Sequence, residues 1–118
     1  EKFSAKAVGP LNGIPTVILV NEGSASASEI LADALKDNGA AKLVGVTTYG
    51  KGSVQETVQY DKGGLLKVTV ARWYTPNGQN ISESGIEPDE KVELTEADVA
   101  NNKDPQKDKA IELLQAQY

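Results

Sequence analysis

The sequence predicts an α/β fold with a central βαβ unit followed by a β-hairpin. Three observations carry this. Pro15 to Asn21 (PTVILVN) is a short continuous apolar run, rich in Val and Ile, of the length and composition of a fully buried strand. Ser24 to Asn38 (SASASEILADALKDN) repeats its apolar residues Ile30, Leu31, Ala34 and Leu35 at helical spacing, and Gly39 stands where a helix-ending glycine belongs. Lys42 to Thr47 (KLVGVT) is a second short apolar run. Strand, helix and strand in so short a stretch form a βαβ unit, normally right-handed with parallel strands.

The remaining elements follow in order. Lys2 to Val8 alternates weakly and is expected to be an extended edge segment, with Gly9-Pro10 and Asn12-Gly13 marking a loop before the first strand. Tyr49 to Ser53 (YGKGS) is a glycine-flanked loop. Val54 to Tyr60 (VQETVQY) alternates at period two, Asp61 to Gly64 is a turn, and Leu65 to Tyr74 (LLKVTVARWY) is β-branched and aromatic, so the two runs read as a hairpin. Trp73 and Tyr74 are expected in the core, with Lys67 and Arg72 facing solvent. Thr75 to Gly78 (TPNG) is a turn. Gly85 to Asp89 (GIEPD) is irregular, and Lys91 to Leu94 forms a short strand. Thr95 caps a short helix, and Pro105 suits the first turn of a last one, with the polar stretch Asn101 to Asp108 as a solvated linker between them.

Composition narrows the chemistry. The 118 residues are 39% hydrophobic and 25% charged, a globular balance. The net charge of −5 argues against a non-specific nucleic-acid binder, which presents a basic surface. The acidic excess serves solubility. No apolar stretch approaches the roughly 20 residues that span a bilayer, and Glu1 to Val8 lacks the apolar region of a secretory signal. Histidine and cysteine are both absent. Ser-His-Asp and Cys-His catalysis, disulfides and the usual zinc sites are therefore excluded within the chain. Acid–base chemistry near neutral pH must use a carboxylate, a tyrosine or a lysine.

The segment Gly23-Ser24-Ala25-Ser26-Ala27-Ser28-Glu29 joins a buried strand to a helix start. There the first backbone N–H groups are unpaired and the helix dipole is positive, so an oxyanion is stabilised. A serine at this point sits at the carboxyl end of a strand, where α/β proteins place ligands. Ser26-x-x-Glu29 equally fits a capping box, in which Ser26 does no more than cap the helix. Gly50-Lys51-Gly52 then sets a lysine between glycines in the loop after the next strand, which emerges at the same sheet edge as the helix start. A serine needs a base, and without histidine a neutral lysine amine is the natural one. Free lysine has a pKa of about 10.4, so a base near neutrality needs a downward shift of roughly 3 units, which apolar burial without a carboxylate partner supplies. Gln55 could orient that amine without holding it charged. Phosphate binding by GKGS is disfavoured, because the P-loop spacing is missing and a strand follows.

These segments together resemble the C-terminal processing (tail-specific) proteases of peptidase family S41. NEGSASASEI, TTYGKGSVQ, ARWYTPNGQNI and GIEPD occur in the family's order, and the resemblance covers about Gly9 to Leu94. It implies that Ser26 is the nucleophile, Lys51 the general base, Gln55 the residue that positions it, and the Ala27 amide an oxyanion donor. Ser24, Ser28, Gly50 and Gly52 are implied as supporting residues, with Glu29 a cap. It implies a crotonase-like (Clp-protease-like) fold, no metal or other cofactor, an unstructured polypeptide substrate cleaved near its C-terminus, and an extracytoplasmic location. The histidine-using, tricorn-like branch is excluded. The family's upstream Asn-Pro-Gly-Gly-like motif, source of the second oxyanion donor, and its PDZ domain are not found. The expected organisation is a partial S41 core over residues 1–94 and a C-terminal helical extension over 95–118. The same absence is expected to expose an edge that invites pairing, so self-association or domain swapping of a non-catalytic module is the alternative expectation.

Overall fold

The computed structural model describes residue 9 and residues 11–116. The edge segment expected over Lys2 to Val8 lies outside the described residues. Strand β1 (Val17–Val20), helix α1 (Ala27–Asp37) and strand β2 (Lys42–Gly45) form the expected parallel βαβ unit, paired in register from Val17↔Lys42 to Val20↔Gly45. Strand β5 (Glu90–Lys91) adds parallel to the other side of β2, giving the order β1-β2-β5. It is shorter than the Lys91–Leu94 expected, and lies one residue earlier.

Neighbouring strand residues point to opposite faces. Leu43 and Val44 are both fully buried, and α1 and α3 (Pro105–Gln115) both pack on β2, so the sheet is covered on both sides. One core cluster comprises Val20, Ala32, Leu43, Ile81 and Ile86. The last two come from the loop before β5, and two bonds hold that loop down. Asp89 accepts from the Leu43 amide at 2.7 Å, and Lys36 donates to the Glu87 carbonyl at 2.6 Å. The expected caps are in place. Gly39 follows the C-cap Asn38, Thr95 caps α2 (Glu96–Ala100), and Pro105 opens α3 behind the cap Asp104.

The spacing of Ile30, Leu31, Ala34 and Leu35 is only partly inward: Leu31 is 61% exposed, the other three are half-buried, and the buried positions are Glu29, Ala32 and Asp33. Ala32 is small enough to let the helix lie close to β2, and Glu29 is buried because it binds the loop after β2. One expectation is corrected. Trp73 and Tyr74 are not core residues, being 41% and 62% exposed. They leave the hairpin just after β4 (Leu65–Arg72) and stand over the outer side of α1.

The hairpin of β3 (Ser53–Gln59) and β4 is a separate two-stranded sheet, antiparallel, with a bulge between Val54 and Gln55. Every residue of β4 is exposed, Lys67 and Arg72 included. The radius of gyration is 17.6 Å, against about 13.5 Å for a compact chain of this length, consistent with an outstretched hairpin. Val58, Leu66, Val68 and Val70 share one face of it, while Gln55 and Thr69 share the other.

Candidate active site

The turn after β1 is closed locally. Ser24 N–H donates to the Asn21 carbonyl at 2.9 Å, and the Ser24 hydroxyl accepts from Asn21 N–H at 3.1 Å. Ser28 donates its hydroxyl to the Ala25 carbonyl at 2.7 Å. Both serines are thus occupied in shaping the turn. Ser26 differs. It is the N-cap residue and pairs with Glu29 in the arrangement of a capping box, without a close cap hydrogen bond from its own side chain. Its backbone has φ 59° and ψ −116°, a conformation that costs a non-glycine residue about 1–3 kcal/mol and needs its surroundings to enforce it. A residue needed only as a cap would take the extended geometry of Thr95, which does cap with its side chain. Ala27, the first helical residue, keeps an amide with no intrahelical acceptor.

The enforcing group is Glu29. It is 0% exposed, and its carboxylate accepts from four donors. Oε1 takes the Thr48 hydroxyl at 2.6 Å and the Gly50 amide at 2.7 Å. Oε2 takes the Ser26 amide at 2.8 Å and the Lys51 amide at 3.0 Å. Burial pushes the carboxyl up, but the Thr48 hydroxyl and the amides of Gly50, Lys51 and Ser26 outweigh it and hold the group below the usual glutamate range. Because Ser26 and Lys51 bond to one oxygen, the two bond lengths laid end to end bound the separation of their amide nitrogens at 5.8 Å. Tyr49 N–H to the Ser24 carbonyl, 3.0 Å, is a further tie between the two loops.

The glycines around Lys51 are needed for close approach. Gly50 has φ +85°, and a Cβ there would lie 2.7 Å from the Gly85 amide nitrogen. A Cβ on Gly52 would lie 2.7 Å from that of Ser82. The loop is thereby wedged against residues 81–85, with Glu83 N–H donating to the Gly50 carbonyl at 2.9 Å. Gly50 and Gly52 are buried while Lys51 between them is exposed. Lys51, Gln55, Thr69, Arg72 and Ala25 line one open recess.

The expected site residues therefore converge through their backbones. Their side chains are not yet engaged: among the described residues, no hydrogen bond joins Ser26 to Lys51 or Gln55 to Lys51, and Lys51 has no ion pair. The apolar burial expected around Lys51 is not met, since the residue is exposed. Glu29 caps the helix as expected, accepting from the Ser26 amide, but it also anchors the lysine loop, and neither Thr48 nor the segment 81–85 was among the expected site residues. A clue was available for Glu29: a glutamate on the sheet side of a helix needs donors, and a glycine-rich loop has free amides to give. No group of three or more His, Cys, Asp or Glu that could hold a metal ion occurs among the described residues. No described helix is long and apolar enough to cross a membrane.

A parallel βαβ unit, with a strained serine at the helix start tied to a lysine loop at the same sheet edge, defines the class of the protein as α/β. The comparisons identify the family. The profile of "Peptidase family S41" matches residues 1–92, and the chain belongs to that family. It is 51% identical over 80 residues to the carboxy-terminal processing protease CtpA of Bacillus subtilis (strain 168), covering 68% of this chain and 17% of that protein. It is 47% identical over 117 residues to a carboxyl-terminal-processing protease of Synechocystis sp. (strain ATCC 27184 / PCC 6803 / Kazusa), covering 97% of this chain and 27% of that one. Among solved structures, the photosystem II D1 C-terminal processing protease superposes with a TM-score of 0.64 at 46% identity, over 69% of this chain and 21% of that one. The chain thus spans about a quarter or less of the length of these relatives.

Proposed function

We propose that this chain carries the Ser/Lys dyad of a serine endopeptidase that cleaves unstructured polypeptides near their C-termini. Ser26 Oγ attacks the backbone carbonyl, the Lys51 amine takes its proton and returns it to the leaving amine, and a water activated by Lys51 releases the acyl-enzyme. The Ala27 amide, at the positive end of α1, donates to the tetrahedral oxyanion. Gln55 orients Lys51 across the recess; Ser24, Ser28, Gly50 and Gly52 shape the two loops. The observation that carries this reading is the strained backbone of Ser26, held by the carboxylate that also holds the Lys51 amide. Desolvation of Lys51 falls to whatever covers the recess, a bound polypeptide first of all. The fold is read as crotonase-like, residues 1–94 as part of the S41 core, and the location as extracytoplasmic, as the family resemblance implies.

A fluorophosphonate probe tests the dyad. Labelling at Ser26 that is lost in Lys51→Ala supports it, and labelling indifferent to Lys51→Ala removes Lys51 as the base. The one-sided apolar face of the hairpin favours a second reading, in which the chain associates with a copy of itself through Val58, Leu66, Val68 and Val70. A clean monomer on gel filtration at high concentration excludes it.

A further inference from the structure

One residue of the recess beside Lys51 owes its place to an irregularity in the hairpin. Side chains alternate along a strand, so Arg72, counted on from Thr69, belongs on the opposite face. The register reverses that. Gln55 pairs with Thr69, but its neighbour Val54 pairs with Ala71, so Val70 is an extra residue without a cross-strand partner. Such a bulge re-aims the side chains that follow it. Arg72, opposite Ser53, returns to the face of Gln55 and Thr69, and all four line the recess together with Lys51. Trp73 N–H donates to the Gly52 carbonyl at 2.8 Å, which holds the strand end in this register.

The guanidinium placed there has no anionic partner. Among the described residues the cations in ion pairs are Lys36, Lys91 and Lys109. The charged residues lining the recess are Lys51, Arg72 and Glu83, two cations to one anion in a chain of net charge −5. Glu83 is tied by its backbone N–H to the Gly50 carbonyl at 2.9 Å and is not within ion-pair distance of Arg72. The recess is open, with a volume of about 1070 Å³. That is at the top of the roughly 300–1,000 Å³ of small-ligand sites, so a short stretch of polypeptide has room in it.

We propose that Arg72 is a specificity-determining residue that takes a carboxylate of the polypeptide in the recess, from an acidic side chain or a free chain end, an inference that rests on the recess being where the polypeptide is cleaved. The planar guanidinium meets a carboxylate through two parallel N–H···O bonds, a geometry that the point charge of a lysine does not offer. Because the guanidinium neutralises the carboxylate it holds, the bound pair adds no net charge beside the Lys51 amine. A segment without an acid leaves Arg72 in solvent at little cost, so the residue ranks polypeptides and does not exclude the neutral ones.

Peptide binding followed by nitrogen-15 NMR on the whole chain tests this without calling on catalysis. The probes are three acetylated pentapeptides: Gly-Gly-Glu-Gly-Gly and Gly-Gly-Gln-Gly-Gly, both amidated, and Gly-Gly-Gly-Gly-Gly with a free C-terminus. A saturable shift of the Arg72 Nε–H signal, assigned through the Arg72 backbone, is expected with a carboxylate peptide. The glutamine peptide should bind about threefold to tenfold more weakly, and salt should narrow the gap. A preference for the glutamate peptide makes the side chain the source, and a preference for the free C-terminus makes it the chain end; either supports the proposal. In Arg72→Gln, read through the backbone amides of the recess, the preference should be gone, while in Lys51→Ala it should persist. Equal binding of all three peptides, no saturable shift with any, a preference kept in Arg72→Gln or one lost in Lys51→Ala overturns the proposal. Should Arg72→Gln fail to fold, an Arg72 Nε–H signal unmoved by a peptide that binds overturns it on the wild type alone. The fluorophosphonate experiment judges the dyad separately: a preference without Lys51-dependent labelling keeps the carboxylate site and loses the dyad, and the reverse result loses the site alone.

Discussion

Replacing Glu29 by glutamine keeps the shape of the side chain and removes its charge, and the consequences can be worked out atom by atom. The carboxylate meets the Thr48 hydroxyl and Gly50 amide on one oxygen, and the Ser26 and Lys51 amides on the other. A glutamine has one acceptor oxygen. Turned toward Ser26 and Lys51, it points its NH2 at Gly50, whose buried N–H is left unpaired. Turned the other way, it leaves two amides facing a donor. The better orientation still strands one buried donor, at about 1–3 kcal/mol, and weakens the surviving bonds from charge-assisted to neutral. The expected loss is about 2–5 kcal/mol at pH 7, a large share of the 5–15 kcal/mol typical of a domain. The pH dependence has a definite sign. A carboxyl whose pKa is lower folded than unfolded adds stability above its unfolded value, and loses it as pH falls through the folded one. The gap between wild type and Glu29→Gln should therefore begin to narrow below about pH 4.3. Urea unfolding from pH 7 down to pH 3 measures this. A variant within about 0.5 kcal/mol of wild type at pH 7, the level of an ordinary surface change, or a gap that widens in acid, would refute the reasoning.

Further outcomes are expected elsewhere. Asp33→Ala should stabilise the chain at pH 7 by about 1–2 kcal/mol, since it removes an unpaired buried oxygen and favours the helix. Because the folded Asp33 carboxyl is raised, its ionisation penalty sets in as pH rises above the unfolded value, so that part of the advantage should shrink as pH falls toward about 3.9 and be gone below it in the same urea series. Gly50→Ala should lower the thermal midpoint far more than Gly63→Ala. Both positions have positive φ, but Gly63 has open space around it while Gly50 meets backbone at 2.7 Å. Asp89→Ala should destabilise by about 1–2 kcal/mol by orphaning the Leu43 amide, and Asp89→Asn, which keeps an acceptor, should recover most of that loss in denaturant titrations.

What could be read beforehand, and what could not, follows the range of the interactions. The βαβ unit and the hairpin are written in local periodicity, and appear with boundaries moved by a few residues. Helix α1 begins at Ala27 and not Ser24, because Ser24 is held in the turn by Asn21. The two loops proposed to carry the dyad were legible as motifs, since GSASASE and GKG sit next to recognisable elements. The exposure of Leu31 was not. Helical spacing groups it with Ile30, Ala34 and Leu35, but it is the one of the four that lies exposed, while Glu29 takes a buried position by binding a distant loop. Nothing near Glu29 announces that three of its partners are 19 to 22 positions away, and two of these are backbone amides without a sequence signature of their own. Trp73 and Tyr74 were misjudged for a related reason. Aromatic residues at a strand end read as core, and only the position of α1 shows that they wall a cavity.

The shared carboxylate also governs how the site comes apart. The amides of Ser26, Gly50 and Lys51 are held by one side chain that has no solvent contact of its own. Releasing the lysine loop leaves Glu29 without the donors that make its burial tolerable, and so frees Ser26 to relax toward an ordinary helix start. Assembly and disassembly should then occur as one cooperative opening. In hydrogen exchange, the three amides should share a single protection factor and lose it together, so that a population holding the serine but not the lysine is never appreciable.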